Sequence, residues 1–306
     1  MNDAGDYKSA IEEILYGDAS KMKSMTDERD ELLEAALAGV ETQCRNDAWN
    51  ATADNGNYAG AYDLIEETIS YYEGLKSDYS GVAYYISEME GFREDIKNNH
   101  LSYFATEAEK LANKGDLDAL IDFCNTQIQY FGDDQNAKEI VEKNRANCVV
   151  HETMNLQSSG DLKGTVNYVY DHIAEGDYNL YMIELYENAA NSLGVVTYAG
   201  NVNQLPQTGA SGYVFDWTDQ YTLSESDLYS LDLDELRIAL YEIYARHGRT
   251  FISTIQQYFD GKSWYTNRNL PNIQFDASTE LNDIERANAA LIIDYMKRNG
   301  YMCKLN

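Results

Sequence analysis

Lys114-Gly115-Asp116-Leu117-Asp118-Ala119-Leu120-Ile121-Asp122-Phe123 reads as the end of one helix and the start of the next. Glycine readily takes the left-handed turn past a helix end. The glycine and the polar residue behind it break one helix. The bulky Leu117 and the small residue after it then allow a close helix approach. The same order recurs at Asn55-Gly56-Asn57-Tyr58-Ala59-Gly60-Ala61-Tyr62-Asp63-Leu64-Ile65 and at Ser159-Gly160-Asp161-Leu162-Lys163-Gly164-Thr165-Val166-Asn167-Tyr168.

These turns sit in a segment without proline. The chain has 2 prolines, Pro206 and Pro271, and the residues before Pro206 are rich in Ala, Glu, Leu, Lys and Asp. Such a segment favours helix. The turns resemble those inside tetratricopeptide-type helical hairpins, a likeness that covers roughly residues 25–194. Their spacings, 59 residues from Gly56 to Gly115 and 45 from Gly115 to Gly160, are longer and less regular than that family's period. The fold class expected is all-α: an irregular helical-hairpin (α-solenoid or tetratricopeptide-like) array, then a small, mostly α-helical domain. The expected divisions are 1–200 for the array, 201–222 for a linker of Gly, Pro, Gln and Ser, and 223–306 for the small domain.

Charge changes at the same place. Acidic residues number 52 and basic ones 23 among 306 residues, a formal net charge of −29; residues 1–200 carry −24 of it and residues 201–306 carry −5. This argues against nucleic acid, whose phosphates need a basic groove, and against an anionic membrane face. No stretch is apolar enough to span a bilayer, and Met1–Asp6 does not read as a signal peptide. An anchor, if there is one, is expected to lie outside this chain. Cys44, Cys124, Cys148 and Cys303 lack C-x-x-C spacing, so neither a zinc site nor a disulfide framework is expected. His100, His151 and His172 stand singly, and no metal or cofactor is expected. No nucleophile elbow, phosphate loop or dinucleotide fingerprint occurs.

In the small domain, Ser224 or Ser226 can cap a short helix. Asp232 or Asp234 can cap the next, which runs to about His247 and stops at Gly248. On it Leu233, Leu236, Leu240, Ile243, Tyr244 and His247 form one stripe, and Glu235, Ala239, Glu242 and Arg246 a neighbouring one. A short helix is expected over Phe251 to Phe259, then a loop with Trp264 and Tyr265. A last helix is expected from near Ser278 or Thr279 to Gly300.

Tyr244-Ala245-Arg246-His247-Gly248 is the pentapeptide that names the YARHG domain of bacterial proteins. The segment resembles that family over about residues 213–298, through Leu236-Arg237, Glu242-Ile243, Phe251, Tyr258-Phe259, Trp264-Tyr265, Leu281-Asn282, Glu285 and Asn288. It departs from the family at Leu240-Tyr241, where Arg-Asn is usual, and in a lead-in without leucine-proline. The resemblance implies an extracellular or cell-surface module of the bacterial envelope with no assigned activity.

Each motif residue has a structural use. Gly248 suits the left-handed residue past the helix. Arg246 can pair with Glu242 or reach Glu285. His247 can be buried with one nitrogen bonded to backbone. Trp264 and Tyr265 can cover the core, and Asn288 would take loop backbone as its partners. Alternatively Arg246, His247, Trp264 and Tyr265 line a pocket in which arginine holds a carboxylate and the aromatics stack on a sugar or peptide. Small domains need tight joints, which favours the structural use. The function expected is a non-enzymatic envelope protein, its helical scaffold presenting a domain that binds peptidoglycan or a partner protein. The alternatives are a wall hydrolase using His247 with Glu242 or Glu285, and a pure spacer.

Overall fold

The computed structural model describes residues 6–17, 26–174, 180–196, 202–206 and 212–306. The architecture is all-α, with helices throughout and one pair of two-residue strands among the described residues. Two compact units divide between Thr106 and Glu107.

The first unit holds α1 (Tyr7–Tyr16), α2 (Thr26–Asn55), α3 (Tyr58–Leu75) and the first part of α4 (Val82–Ala112). Leu33, Leu37, Ile65, Tyr72 and Met89 are buried together in its core. The Tyr72 hydroxyl is satisfied inside that core by donating to the Leu37 carbonyl at 2.8 Å.

The second unit begins with α5 (Leu117–Ile128), α6 (Gln135–Ser159), α7 (Leu162–His172) and α8 (Leu180–Ser192). Gly115 takes φ +76°, and a Cβ there would lie 2.8 Å from the Glu152 nitrogen, so only glycine lets this turn rest on α6. Asp116 then caps α5 by accepting from Ala119 N at 3.0 Å. Asn57 and Asp161 cap α3 and α7 in the same way, accepting from Gly60 N and Gly164 N at 3.0 and 2.8 Å. The hairpins are uneven: α3 and α4 have 18 and 31 residues and α5 and α6 have 12 and 25, which is why the turns stand 59 and then 45 residues apart.

The remainder holds α9 (Glu225–Leu228), α10 (Leu233–Ala245), β1 (Arg249–Thr250), α11 (Ser253–Asp260), β2 (Leu270–Pro271), α12 (Ala277–Glu280) and α13 (Asp283–Arg298). β1 and β2 pair in parallel, with Arg249 opposite Leu270. Ser224 and Asp232 are the caps of α9 and α10. The last helix starts later than its sequence suggests. Ser278 and Thr279 lie in the one-turn α12, and α13 begins after Asn282, which forms a reciprocal capping box with Glu285.

The expected linker at 201–222 is not where the compact units separate. Its residues 201 and 207–211 lie outside the described residues. One core runs from Val149 through α7 and α8 and on to Met302. The cause is α8, whose Leu180, Met182, Ile183, Leu185, Tyr186, Ala189 and Ala190 are all buried. Apolar residues run most of the way round this helix, so it needs cover from more than one side. α6 and α7 cover part of it, and the C-terminal segment covers the rest.

Candidate functional site

The pentapeptide ends α10 and holds three other segments to it. Tyr244 and Ala245 are buried in the core. Arg246 lies over the Tyr213 ring at 4.5 Å, donates to the Phe215 carbonyl and sits 3.3 Å from Asp219. It therefore fixes the lead-in to the domain and pairs with neither Glu242 nor Glu285. His247 makes the Glu285 contact instead, Nε2 to Oε1 at 2.7 Å. Its side chain is 27% exposed while that of Glu285 is 1% exposed. This corrects the expectation of a buried histidine bonded to backbone. Gly248 takes φ +74°, and a Cβ there would lie 2.5 Å from the Thr266 carbonyl oxygen. The Gly248 carbonyl accepts from Arg268 N at 2.8 Å, which closes the loop that carries Trp264 and Tyr265.

Glu242 is buried and faces away from His247. Its carboxylate accepts from Val214 N at 3.0 Å and from Phe215 N at 3.2 Å. Burial pushes its pKa up to about 7, against the opposing pull of those two N–H groups and of Arg246. Asn288 is buried on α13. It donates to the Thr218 and Tyr221 carbonyls at 2.9 Å each and accepts from Leu223 N at 2.6 Å. Loop backbone supplies its partners, as its place on an apolar stripe predicts.

The aromatic residues are half-buried and committed to internal contacts. Trp264 stacks on Tyr213 at 4.3 Å and donates to the Gly212 carbonyl at 3.2 Å. Tyr265 donates to the Arg249 carbonyl at 2.7 Å. Thus Tyr213 brings Arg246 and Trp264 together. His247 belongs to a separate contact with α13, and Tyr265 to the β1 side.

Residues 211–297 match the model of the YARHG domain. No curated protein and no solved structure matches the chain. No helix among the described residues is long and apolar enough to cross a membrane.

Two ion pairs tie the YARHG domain to α8, and sequence reasoning missed both. Arg249 grips Glu184 through two bonds of 3.0 and 2.8 Å, with side chains 1% and 2% exposed. Arg237 grips Glu187 at 2.9 and 2.6 Å, and Tyr241 donates to the same carboxylate at 3.0 Å. Burial works against the Arg237 charge, but the Glu187 carboxylate beside it keeps its pKa raised. Tyr241, which stands where the YARHG pattern usually has Asn, thus serves the joint to α8. The signal was in the sequence. Glu184 and Glu187 interrupt an apolar run in Leu180-Tyr181-Met182-Ile183-Glu184-Leu185-Tyr186-Glu187, and a carboxylate in such a run needs a buried partner.

Proposed function

We propose that this chain is a non-enzymatic protein of the bacterial cell envelope or exterior. In this reading a tetratricopeptide-like helical scaffold presents the YARHG domain to wall material or to a partner protein. The observation that carries it is the pair of buried arginine–glutamate contacts between α8 and the domain. They hold the domain to the helices in one orientation, which presentation requires. The pentapeptide itself serves as a clamp: Arg246 and Gly248 spend their contacts on the lead-in and on the loop after β1. The test is sedimentation of the full chain with insoluble peptidoglycan. Recovery in the pellet supports wall binding; a chain that stays in solution leaves a partner protein as the reading.

One observation favours a second reading, a wall hydrolase. His247 is partly exposed and its Nε2 meets a buried carboxylate, the arrangement in which Glu285 would orient a general base. Glu242 has no place in that dyad, because it accepts from Val214 and Phe215. Time-dependent release of soluble wall fragments, lost in His247→Ala, would establish this reading. A chain that neither sediments, nor cleaves, nor binds a partner protein is a spacer.

A further inference from the structure

A cleft of about 970 Å³ opens between α6 and residues 273–286 of the YARHG domain. Its size is that of sites that enclose a small ligand. Val150 of α6 and Phe275 and Ala277 of the domain give it an apolar floor, and Ile273, 46% exposed, stands at its lip. Both walls belong to the second compact unit. α6 packs on α7 and α8, and α8 is held to the domain by the two buried ion pairs, so the cleft is preformed.

One wall is an ordered ladder of polar side chains. Glu139, Lys143, Asn147 and His151 recur every four residues along α6, on one face, and all line the cleft. The side chains of Lys143, Asn147 and His151 make no hydrogen bond or ion pair among the described residues. From Glu139 to His151 the helix rises about 18 Å, the length of about five extended residues. The ladder offers a cation for a carboxylate, a carboxylate for an amine, and an amide that can both donate and accept. Burial lowers the His151 pKa, which leaves the ring neutral at pH 7 with one donor and one acceptor. Ligands of a single charge sign fit poorly, because the lining carries both signs: Glu109, Glu139, Glu142 and Asp276 stand with Lys143, Arg145 and Arg286.

We propose that this cleft binds a short extended peptide carrying both an amine and free carboxylates, the chemistry of the peptide stem of peptidoglycan. The proposal rests on the wall-binding reading above and names its ligand. Lys143 pairs with a carboxylate, Glu139 with the amine, and Asn147 with a peptide bond between them. Small apolar side chains of the stem lie against Val150 and Phe275.

The test is calorimetric titration of the full chain with a synthetic stem pentapeptide (L-alanine, γ-D-glutamate, L-lysine and two D-alanines). Saturable binding is expected, weakened about tenfold or more in a Lys143→Ala/Asn147→Ala double variant. Both side chains are exposed, so the variant should keep its circular dichroism and melting temperature. Absence of saturable binding overturns the proposal, as does an unchanged affinity in the folded variant. Equal binding of a linear all-L peptide of the same composition also overturns it and assigns the cleft to a protein segment. A chain that sediments with peptidoglycan yet ignores the stem peptide keeps the wall reading and loses this site.

Discussion

His247 Nε2 lies 2.7 Å from Glu285 Oε1, so the pentapeptide at the end of α10 is tied to the first turn of α13. Glu285 is buried, and its other oxygen accepts from Asn282 N at 2.9 Å as part of the helix cap. His247→Ala leaves one carboxylate oxygen without its partner and should cost about 1–3 kcal/mol. Urea unfolding checks this. A variant as stable as wild type would mean the contact contributes nothing to the fold, and would strengthen the hydrolase reading.

Gly248→Ala should be more harmful than an ordinary glycine replacement. The left-handed backbone costs about 1–2 kcal/mol for alanine. The new Cβ also meets the Thr266 carbonyl oxygen at 2.5 Å, so the loop to Arg268 must move. The expected loss is about 2–3 kcal/mol by thermal or urea unfolding.

Glu242 makes stability depend on pH. Its folded pKa of about 7 lies above the ordinary 4.5, so the folded chain holds this proton more tightly than the unfolded chain. Its contribution is full below about pH 4.5 and is lost as pH rises through about 7, a change of about 3 kcal/mol. Glu242→Gln cannot titrate. The stability difference between wild type and Glu242→Gln should therefore shift against wild type from pH 5 to pH 8. Parallel unfolding curves at both pH values would contradict this.

Removing one member of a buried ion pair should cost more than replacing both. Arg249→Met alone strands Glu184 and should cost about 3–5 kcal/mol. The double variant Arg249→Met/Glu184→Leu should recover much of that loss. A double-mutant cycle measures the coupling, and additive losses would show that the two side chains act independently.

The sequence reveals local features better than long-range ones. Ser224 and Asp232 are legible as cap candidates because cap chemistry depends on the few residues around each turn, whereas Asn57, Asp116 and Asp161 are legible only as helix breaks. Asn288 was legible because a polar residue on an apolar stripe must find partners. The start of α13 was misread because Ser278, Thr279 and Asn282 are all competent caps. Only the reciprocal contact with Glu285 selects Asn282. The place of Arg246 was misread because Asp219 and the Phe215 carbonyl are about thirty residues away in sequence. The division expected at 201–222 rests on composition. Composition does not show that α8, just before it, is buried against the C-terminal segment. Glu184 and Glu187 were the available signal, and the net acidic charge around them made them look like surface.

The central claim is that α8 and the YARHG domain form one body through the Glu184–Arg249 and Glu187–Arg237 pairs. Native-state hydrogen exchange, followed at the amides of α8 and α10, tests it most directly. The two helices should open with the same free energy, and Glu184→Gln should lower both together. Amides of α8 that exchange faster than those of α10, with α10 unmoved by the substitution, would contradict it.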